Sequence, residues 1–322
     1  MRILVTGAAG FVGGHLLEHL RAARPEAEVH GVVLPGGAAS WRPSGVRVVE
    51  ADLEDPAAAG RAVAASRPDR IVHLAGQASV HRSWEDPAGT LRTNVLGVVN
   101  LLDAVRQEGL RPAVLVVGSA DEYGPVPSGE PPLRETAPRR PASPYAVSKV
   151  AQAALAALYG PAGGLRVVTT RTFPHTGPGR GEAFAESSFA RQIAEIEAGL
   201  RAPVVEVGNL DAVRDFSDVR DVVRAYDLLL ESGRGGEAYN VCSGRGRRVG
   251  DLLDALLSAS TARVEVRVDP ARLRPADVPA LVGDPAKLVA DTGWQPRIPF
   301  ERTLRDLLDD WRGRVRAGAE TR

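Results

Sequence analysis

The stretch RILVTGAAGFVGGHLLEHLRAARP, residues 2–25, decides the fold of this chain. It begins with a short apolar run, continues through Gly7, Gly10 and Gly13, and ends in leucines with helical spacing. Strand, glycine-rich turn and helix in this order are typical of a dinucleotide-binding unit, because the glycines let the backbone approach a pyrophosphate at the helix N-terminus. A glycine triplet alone could be a tight turn, but the β-α pattern that follows favours nucleotide binding.

Five further strand-like runs follow this unit. They read EVHGVVL, VRVVEADL, RIVHLAG, AVLVVGS and RVVTTRTF, with helical segments between them. Alternating strands and helices predict an α/β fold of the Rossmann type, a doubly wound parallel sheet that binds ligands at the carboxyl ends of its strands. After residue 173, Pro- and Gly-rich stretches predict a smaller C-terminal substrate-binding lobe. We expect a dinucleotide-binding domain over 1–172, rejoined by part of 203–243, and a lobe formed mainly by 173–322.

The composition excludes several classes of function. Forty acidic and forty basic side chains give a formal net charge of zero, so no global positive field draws the chain to nucleic acid or to an anionic membrane. The six scattered histidines show no metal-ligand spacing, and the single cysteine, Cys242, cannot form an internal disulfide. The N-terminus enters a strand pattern at once, and no apolar run approaches the roughly 20 residues that span a bilayer. We expect a cytoplasmic globular protein without a metal.

The stretch SPYAVSK, residues 143–149, is the first candidate for chemistry. Of the forty basic side chains only Lys149 and Lys287 are lysine, and lysine, unlike arginine, is a compact charge with a tunable pKa. Tyr145 and Lys149 stand four apart in a predicted helix and share one of its faces. Ser119 ends a predicted strand upstream, at the edge of the sheet where ligands bind. The alternative interpretation of the tyrosine and lysine is a solvated surface pair.

The segments TGAAGFVGGH, HLAGQASV and YAVSK, together with Ser119 at its strand end, resemble the extended short-chain dehydrogenase/reductases that act on nucleotide sugars. The resemblance covers essentially the whole chain. It implies that Tyr145 is the acid/base on a substrate oxygen, that Lys149 lowers the pKa of this phenol and holds the nicotinamide ribose, and that Ser119 hydrogen-bonds the same oxygen. A phenol titrates near pH 10, so an adjacent cation suits this role. The implied cofactor-binding residues are Gly7, Gly10, Phe11, Val12, Gly13, Asp52, Leu53, Leu74, Ala75, Gly76, Asn94, Tyr145 and Lys149.

The C-terminal part narrows the resemblance to the GDP-mannose branch, which holds 4,6-dehydratases and 4-keto reductases. The segments that carry it are TRTFPHTGPG, VGNLDAVRDFSDVRDVVRAY, YNVCSG, LRPADVPALVGDPAKL and TGWQPRIPFE. The implied substrate-binding residues are Ser83, Asn209, Arg214, Arg274 and Asp277. The two arginines suit the diphosphate of a sugar nucleotide, and the aspartate suits its ribose hydroxyls. One departure is Pro174, where the family usually has asparagine, so that side-chain contact is not carried over.

The choice of nicotinamide cofactor depends on the end of the second predicted strand. NAD binders usually place an acid there for the adenine ribose, whereas NADP binders use a nearby arginine. The segment VHGVVLPGG ends without an acid, and Arg42 in SWRPS follows it. We predict NADP(H) as the favoured cofactor and NAD(H) as the alternative, while a solvated loop arginine is the competing interpretation of Arg42.

The segment GSADEYG, residues 118–124, separates reductase from dehydratase. A 4,6-dehydratase must remove the C5 proton and help the C6 hydroxyl leave, and its segment carries a run such as T-D-E or T-S-E. Here the run is Ser119, Ala120 and Asp121, so the middle residue has no proton to give and the acid is one methylene shorter. The catalytic candidates are Ser119, Asp121, Tyr145 and Lys149.

We therefore predict NAD(P)H-dependent reduction of the C4 ketone of GDP-4-keto-6-deoxy-D-mannose to GDP-D-rhamnose. The alternatives are a GDP-mannose 4,6-dehydratase, another nucleotide-sugar epimerase or dehydratase, and a non-catalytic nucleotide-binding module. The intact set of serine, tyrosine and lysine argues against the non-catalytic module.

Two predicted helices, at about 91–108 and 144–160, carry more apolar positions than one sheet face needs. In the resembling family, equivalent helices pair into the four-helix bundle of a dimer. We expect a homodimer whose small-molecule partner is a GDP-linked keto-deoxy sugar. The alternative is that the surplus apolar positions pack internally.

Overall fold

The computed structural model describes residues 1–37, 43–126, 130, 132–273 and 278–320. Within these residues the strands are β1 (Arg2–Thr6), β2 (Glu28–Val33), β3 (Val46–Glu50), β4 (Arg70–His73), β5 (Ala113–Ser119), β6 (Arg166–Thr172), β7 (His175–Thr176), β8 (Val204–Val207), β9 (Val213–Asp215), β10 (Ser217–Asp218), β11 (Ala238–Val241), β12 (Gly246–Arg248), β13 (Glu265–Val268) and β14 (Ala280–Leu281). The helices are α1 (Phe11–Ala23), α2 (Pro56–Ser66), α3 (Val80–Glu85), α4 (Pro87–Leu91), α5 (Gly97–Gln107), α6 (Pro144–Gly163), α7 (Ala185–Glu197), α8 (Val219–Ser232), α9 (Val249–Ser258), α10 (Ala286–Thr292) and α11 (Phe300–Glu320).

Seven parallel strands form the main sheet, in the order β11-β6-β5-β4-β1-β2-β3. Ile3 of β1 lies opposite Val29 on one side and Arg70 on the other, so the chain reverses its direction of winding at β1. Ligands bind at such a switch point, outside the carboxyl ends of the strands. The predicted Rossmann-type fold is confirmed. The seventh strand, β11, was not among the predicted strands, because four residues, one of them the polar Asn240, in a loop-rich segment give no periodic signal.

Helices cover both faces of this sheet. On one face, Leu16 of α1 and Tyr226 of α8 are fully buried in one core. On the other face, a second core contains Val63 of α2, Leu101 of α5 and Ala156 of α6. Burying a large apolar side chain contributes roughly 1.5–3 kcal/mol, so these two layers hold the strand ends rigidly in place.

A smaller lobe follows β6 and has its own core. Phe189 of α7, Leu252 of α9 and Leu307 of α11 are buried together there. Short sheets lie in this part of the chain, in the orders β10-β7, β12-β9-β14 and β13-β8. Of the helices formed by the described residues, none combines the length and apolarity needed to cross a membrane.

The segment expected as one continuous helix before β5 is interrupted. A π-helical turn, Arg92–Leu96, lies between α4 and α5. Such a turn takes one residue more than an α-helical turn and is frequent at functional sites. It points Asn94 inward, where the side chain is fully buried.

Candidate active site

The glycine-rich turn between β1 and α1 forms a cradle of backbone atoms. Gly7 has a φ of +65°, and a Cβ there would lie 2.8 Å from the backbone nitrogen of Ala75. A Cβ on Gly13 would lie 2.5 Å from the carbonyl oxygen of Gly7. Gly10 is the N-cap of α1 and provides no side-chain cap, so the N–H groups of the first turn point at the cradle with their partial positive charge. The turn has the shape and polarity of a phosphate site.

The residues after β4 lie beside this cradle. The backbone N–H of Ala75 donates to Oγ1 of Thr6, over 3.1 Å, which ties the loop to the end of β1. A Cβ on Gly76 would lie 2.8 Å from Oδ1 of Asn94 and 3.6 Å from Nζ of Lys149. The absence of a side chain at Gly76 therefore allows the amide and the ammonium to approach this loop.

Asn94 connects the loop after β4 to α6. Its Oδ1 accepts the backbone N–H of Gln77 at 2.8 Å, and its Nδ2 donates to the carbonyl of Gln77 at 3.0 Å and to Oγ of Ser148 at 2.9 Å. The hydroxyl of Ser148 in turn donates to the carbonyl of Tyr145 at 2.7 Å. The π-helical turn thus fixes the first turn of α6 against the sheet.

Tyr145 lies in that first turn and is 8 % exposed. Ser143 caps the helix by accepting a first-turn N–H at 3.1 Å, and Ser119, the last residue of β5, hydrogen-bonds the Tyr145 hydroxyl. Burial raises the pKa of the Tyr145 phenol above its ordinary value, and the charge of Asp121 raises it further. The sequence predicted that Lys149 lowers this pKa. In the protein alone burial prevails, so the phenol keeps its proton.

Lys149 lies one helical turn beyond Tyr145 on the same face of α6. Its Nζ is 5.9 Å from the centroid of the Tyr145 ring and donates to the carbonyl of Val117 at 3.0 Å and to Oε1 of Gln152 at 3.1 Å. Burial lowers the pKa of Lys149 to about 8, and the charge of Glu122 opposes this shift. The Lys149 ammonium is therefore held beside the Tyr145 ring, and its pKa depends on the charges around it.

Glu122 is a buried carboxylate that sequence reasoning missed. It is 1 % exposed, and its Oε1 accepts the backbone N–H of Ser119 at 3.3 Å in a capping box. Burial raises the pKa of Glu122 to about 7, against the lowering effect of Arg171. The signal was in the sequence, because S-A-D-E matches the pattern of a capping box, S-x-x-E. The sequence did not indicate that this carboxylate is buried.

Arg180 is a second cation near the phenol that no motif indicated. Its guanidinium carbon lies 3.3 Å from the ring centroid of Phe184 and 4.9 Å from that of Phe11, and Nε lies 3.8 Å from the carboxylate of Glu186. Burial lowers the pKa of Arg180, and its charge lowers the pKa of Tyr145. Arg180 thus packs against Phe11, the first residue of α1, and its charge acts on Tyr145.

The predicted adenine contacts lie at the same edge of the sheet, after β3. Oδ1 of Asp52 accepts the backbone N–H of Glu54 at 2.9 Å, and Asn100 donates from Nδ2 to the carbonyl of Leu53 at 2.8 Å. Asp52 is exposed and Leu53 is buried. The loop is thus held by hydrogen bonds, with one polar and one apolar side chain beside each other.

The predicted substrate residues are spread over both lobes. Ser83 is buried in α3 and its hydroxyl donates to the carbonyl of Val80 at 2.6 Å. Oδ1 of Asn209 accepts the backbone N–H of Asp211 at 2.9 Å. Arg214 lies in β9 and its Nη1 donates to the preceding carbonyl at 2.9 Å. These hydrogen bonds within the chain fix where the three side chains lie, and their roles toward a substrate stay predictions.

Arg42, Arg274 and Asp277 lie outside the described residues, so their roles stay predictions. Pro174, the departure from the family pattern, follows β6. Its carbonyl accepts the backbone N–H of Ser217 at 3.0 Å, next to the pairing of β7 with β10.

The model of the family described as GDP-mannose 4,6 dehydratase matches residues 4–307. The chain is 40 % identical to GDP-6-deoxy-D-mannose reductase of Pseudomonas aeruginosa over 98 % of both chains. It is 31 % identical to GDP-mannose 4,6 dehydratase 2 of Arabidopsis thaliana, over 95 % of this chain and 86 % of that one. The solved structure of RMD from Pseudomonas aeruginosa complexed with NADPH is similar, with a TM-score of 0.86 and 38 % identity over 98 % of this chain and 100 % of that one.

Proposed function

The chain belongs to the GDP-mannose 4,6-dehydratase family, and we propose that within it the protein is a reductase. It reduces the C4 ketone of GDP-4-keto-6-deoxy-D-mannose to the hydroxyl of GDP-D-rhamnose, with NADPH favoured and NADH as the alternative donor. The likeness to a reductase of this substrate class over nearly the whole chain supports the proposal. So does the likeness to a protein that was solved with NADPH.

The proposal of a reductase rests on the turn that follows β5, Ala120–Tyr123. Dehydration needs a base for the C5 proton and an acid for the departing C6 hydroxyl, in addition to the groups that act at C4. In this chain Ser119 is followed by Ala120, which is buried and has no ionisable group, and then by Asp121. Reduction needs only a hydride and one proton, and the phenol of Tyr145 can supply that proton.

The cradle fits a dinucleotide. Gly7 and Gly13 leave space that a Cβ would fill, and the uncapped first turn of α1 offers N–H groups to a pyrophosphate. Lys149 and Asn94 would hold the nicotinamide end, since both approach Gly76. When bound, the reduced nicotinamide cofactor supplies the hydride that adds to C4.

The protein's own residues manage the proton. Tyr145 donates its phenolic proton to the C4 oxygen as the ketone becomes an alcohol, and Ser119 donates a hydrogen bond to the same oxygen. The charge of Lys149 then stabilises the phenolate that Tyr145 becomes. A phenol that is held protonated by burial suits a donor role better than a base role.

Two substrates tested separately decide between reduction and dehydration. With GDP-4-keto-6-deoxy-D-mannose we expect NADPH absorbance to fall and the product mass to rise by two hydrogens. With GDP-mannose we expect little or no loss of water. Conversion of GDP-mannose to the keto sugar without net cofactor consumption would instead support the dehydratase. The Tyr145→Phe variant provides the background rate.

The C-terminal lobe would bind the sugar nucleotide. We assign the diphosphate to Arg214 and Arg274 and the ribose hydroxyls to Asp277, with Ser83 and Asn209 as further contacts, as the family pattern implies. The division into a cofactor domain over 1–172 and a substrate lobe over 173–322 is part of this proposal. The cytoplasmic location stays a prediction.

A homodimer is supported by an apolar surface on two helices. The exposed apolar side chains Leu91 and Leu96 lie on the path from α4 to α5, and Val147 and Leu158 lie on α6. Isolated exposed apolar residues are normal, but four on adjacent, packed helical segments favour pairing with a second copy as a four-helix bundle. Sedimentation should give twice the chain mass of 34.0 kDa, and Leu158→Glu should shift it toward the monomer. A monomeric wild type at micromolar concentration would remove this proposal.

A further inference from the structure

Glu122 occupies a slot built under the catalytic serine. The residue is almost fully buried in the short turn Ala120–Tyr123 that follows β5. A Cβ on Gly118 would lie only 2.6 Å from Oε1 of Glu122 and 2.2 Å from the carbonyl of Thr170. Any side chain at Gly118 would therefore displace the carboxylate.

The carboxylate holds the backbone of Ser119. Oε1 of Glu122 accepts the N–H of Ser119 at 3.3 Å, while Oγ of Ser119 accepts the N–H of Asp121 at 3.1 Å. These reciprocal bonds fix both the backbone and the rotamer of Ser119. The hydroxyl proton of Ser119 stays available on the side of Tyr145, where the proposed mechanism donates it to the C4 oxygen.

The charge of Glu122 is only partly balanced. Nε of Arg171 on β6 lies 3.4 Å from Oε2, and neither atom has a hydrogen-bond partner among the described residues. Nη1 of Arg171 donates to Tyr123 at 2.9 Å and to the carbonyl of Glu135 at 2.8 Å. Arg139, from the loop before α6, is 4.0 Å away and partly exposed.

From α6, both Lys149 and Tyr145 feel the charge of Glu122, and Asp121 adds a second negative charge on the same turn. A carboxylate at this position therefore acts on the two groups that handle the proton.

We propose that Glu122 is a positioning residue for the reduction: its carboxylate fixes the backbone and the side-chain rotamer of Ser119, and its negative charge acts on Lys149 and Tyr145. This inference rests on the proposed reductase function, because reduction requires a protonated phenol. The pKa of Glu122, near 7, lies above its ordinary value, so the carboxylate gains its charge as the pH rises through neutrality.

The chain offers a direct probe, because Lys149 is one of only two lysines. Protein labelled with ¹³C-lysine should give two ε-carbon signals by NMR, and Lys287→Arg assigns them by removing one. In Glu122→Gln, which keeps an acceptor for Ser119 but removes the charge, we expect the pKa of Lys149 to fall by about half a unit or more. The signal of Lys287, which pairs with Glu237 at 2.7 Å, should not move.

Enzyme kinetics give the second measurement. The alkaline limb of the pH profile for ketone reduction should move to lower pH in Glu122→Gln by a similar amount, because Tyr145 loses its proton more easily. Glu122→Asp keeps the charge but shortens the reach to Ser119, so it should lower kcat and leave the pKa of Lys149 closer to that of the wild type. Glu197→Gln, which removes a carboxylate paired with Arg312 at 2.7 Å in the smaller lobe, is the control and should change neither quantity.

The outcomes separate the two proposals. A Lys149 midpoint that stays within about 0.2 pH unit of wild type in folded Glu122→Gln overturns the role of the charge. Should that variant not fold, unchanged kcat in Glu122→Asp overturns the positioning of Ser119. A wild type that titrates as expected but does not reduce the keto sugar contradicts the proposed function, not the coupling between Glu122 and Lys149.

Discussion

The ammonium of Lys149 lies 5.9 Å from the centroid of the Tyr145 ring, one turn earlier on the same helix. The helix fixes this relationship, because residues four apart share a face. The surroundings fix its chemistry, because burial raises the pKa of the phenol and lowers that of the amine. Both shifts favour the uncharged form of each group, so the phenol keeps its proton while the charge of the amine depends on its surroundings.

Tyr145→Phe should abolish most turnover and leave cofactor binding nearly intact, because it deletes one hydroxyl. General acid/base groups contribute about 10² to 10⁴-fold, so we expect a loss of kcat in that range. Tyr159→Phe is the matched control on the same helix, since its hydroxyl bonds Asp103 at 3.1 Å instead of Ser119. Turnover by Tyr145→Phe within threefold of wild type would remove the assignment.

Lys149→Arg should also lose most of its turnover, although this substitution keeps the positive charge. Nζ of Lys149 lies in a buried space with acceptors at 3.0 and 3.1 Å, and a planar guanidinium is longer and cannot occupy it. We expect kcat to fall by about 10²-fold or more. Lys287→Arg makes the same exchange at a lysine outside the site and should retain wild-type kinetics. Equal activity of the two variants would contradict a catalytic role for Lys149.

Gly13→Ala should weaken NADPH binding and lower the melting temperature. The new methyl group would lie 2.5 Å from backbone oxygens, so the cradle must open. Gly14→Ala, at the next position, meets nothing within 4 Å and should stabilise the helix by about 0.5–1 kcal/mol. Thermal denaturation and NADPH titration of both variants test this contrast, and similar effects in the two would refute it.

The protein should bind NADPH at least as tightly as NADH, with Arg42 supplying part of the preference. Arg42→Ala should weaken NADPH binding by about tenfold and leave NADH binding unchanged, because only NADPH carries the 2′-phosphate. Arg47→Ala, which removes a largely exposed arginine on β3, is the control. Fluorescence titration with each cofactor gives both constants. Tenfold tighter NADH binding, or unaltered NADPH affinity in Arg42→Ala, would show that this interpretation of the loop is wrong.

Stability should fall as the pH drops below about 6.5, and His73 should be one cause. Burial lowers the pKa of His73 to about 3, whereas the unfolded chain protonates near 6.5. The unfolded state therefore binds the proton first, and the loss reaches about 2 kcal/mol by pH 5. His73→Asn should reduce this pH dependence in urea denaturation, while His81→Asn, at an exposed position, should not. The same slope in His73→Asn would exclude His73 as a source.

The parts of the site that lie close together in sequence could be predicted from it. Tyr145 and Lys149 share a helical face, and the glycine turn lies between a strand and a helix, so local patterns were sufficient. Ser119 could be placed because the carboxyl ends of parallel strands meet at one edge.

Other parts depend on tertiary packing. Whether the S-x-x-E pattern buries its glutamate, as it does for Glu122, depends on Gly118 and Arg171, which a capping motif does not reveal. Arg180 comes from a loop after β7 and reaches the phenol only through the fold. The net direction of the Tyr145 pKa in the protein alone also depends on packing, because burial is its largest cause.

The π-helical turn Arg92–Leu96 also has a consequence for ancestry. A turn of this kind holds one surplus residue, so α4 and α5 keep their buried faces on either side of it. Removing a single codon within the turn would restore an uninterrupted α-helix without rotating either flank away from its core. It would also withdraw Asn94 and its three bonds to Gln77 and Ser148. We therefore expect the deletion of one residue here to break the link between the cofactor loop and the catalytic helix while sparing both flanking cores.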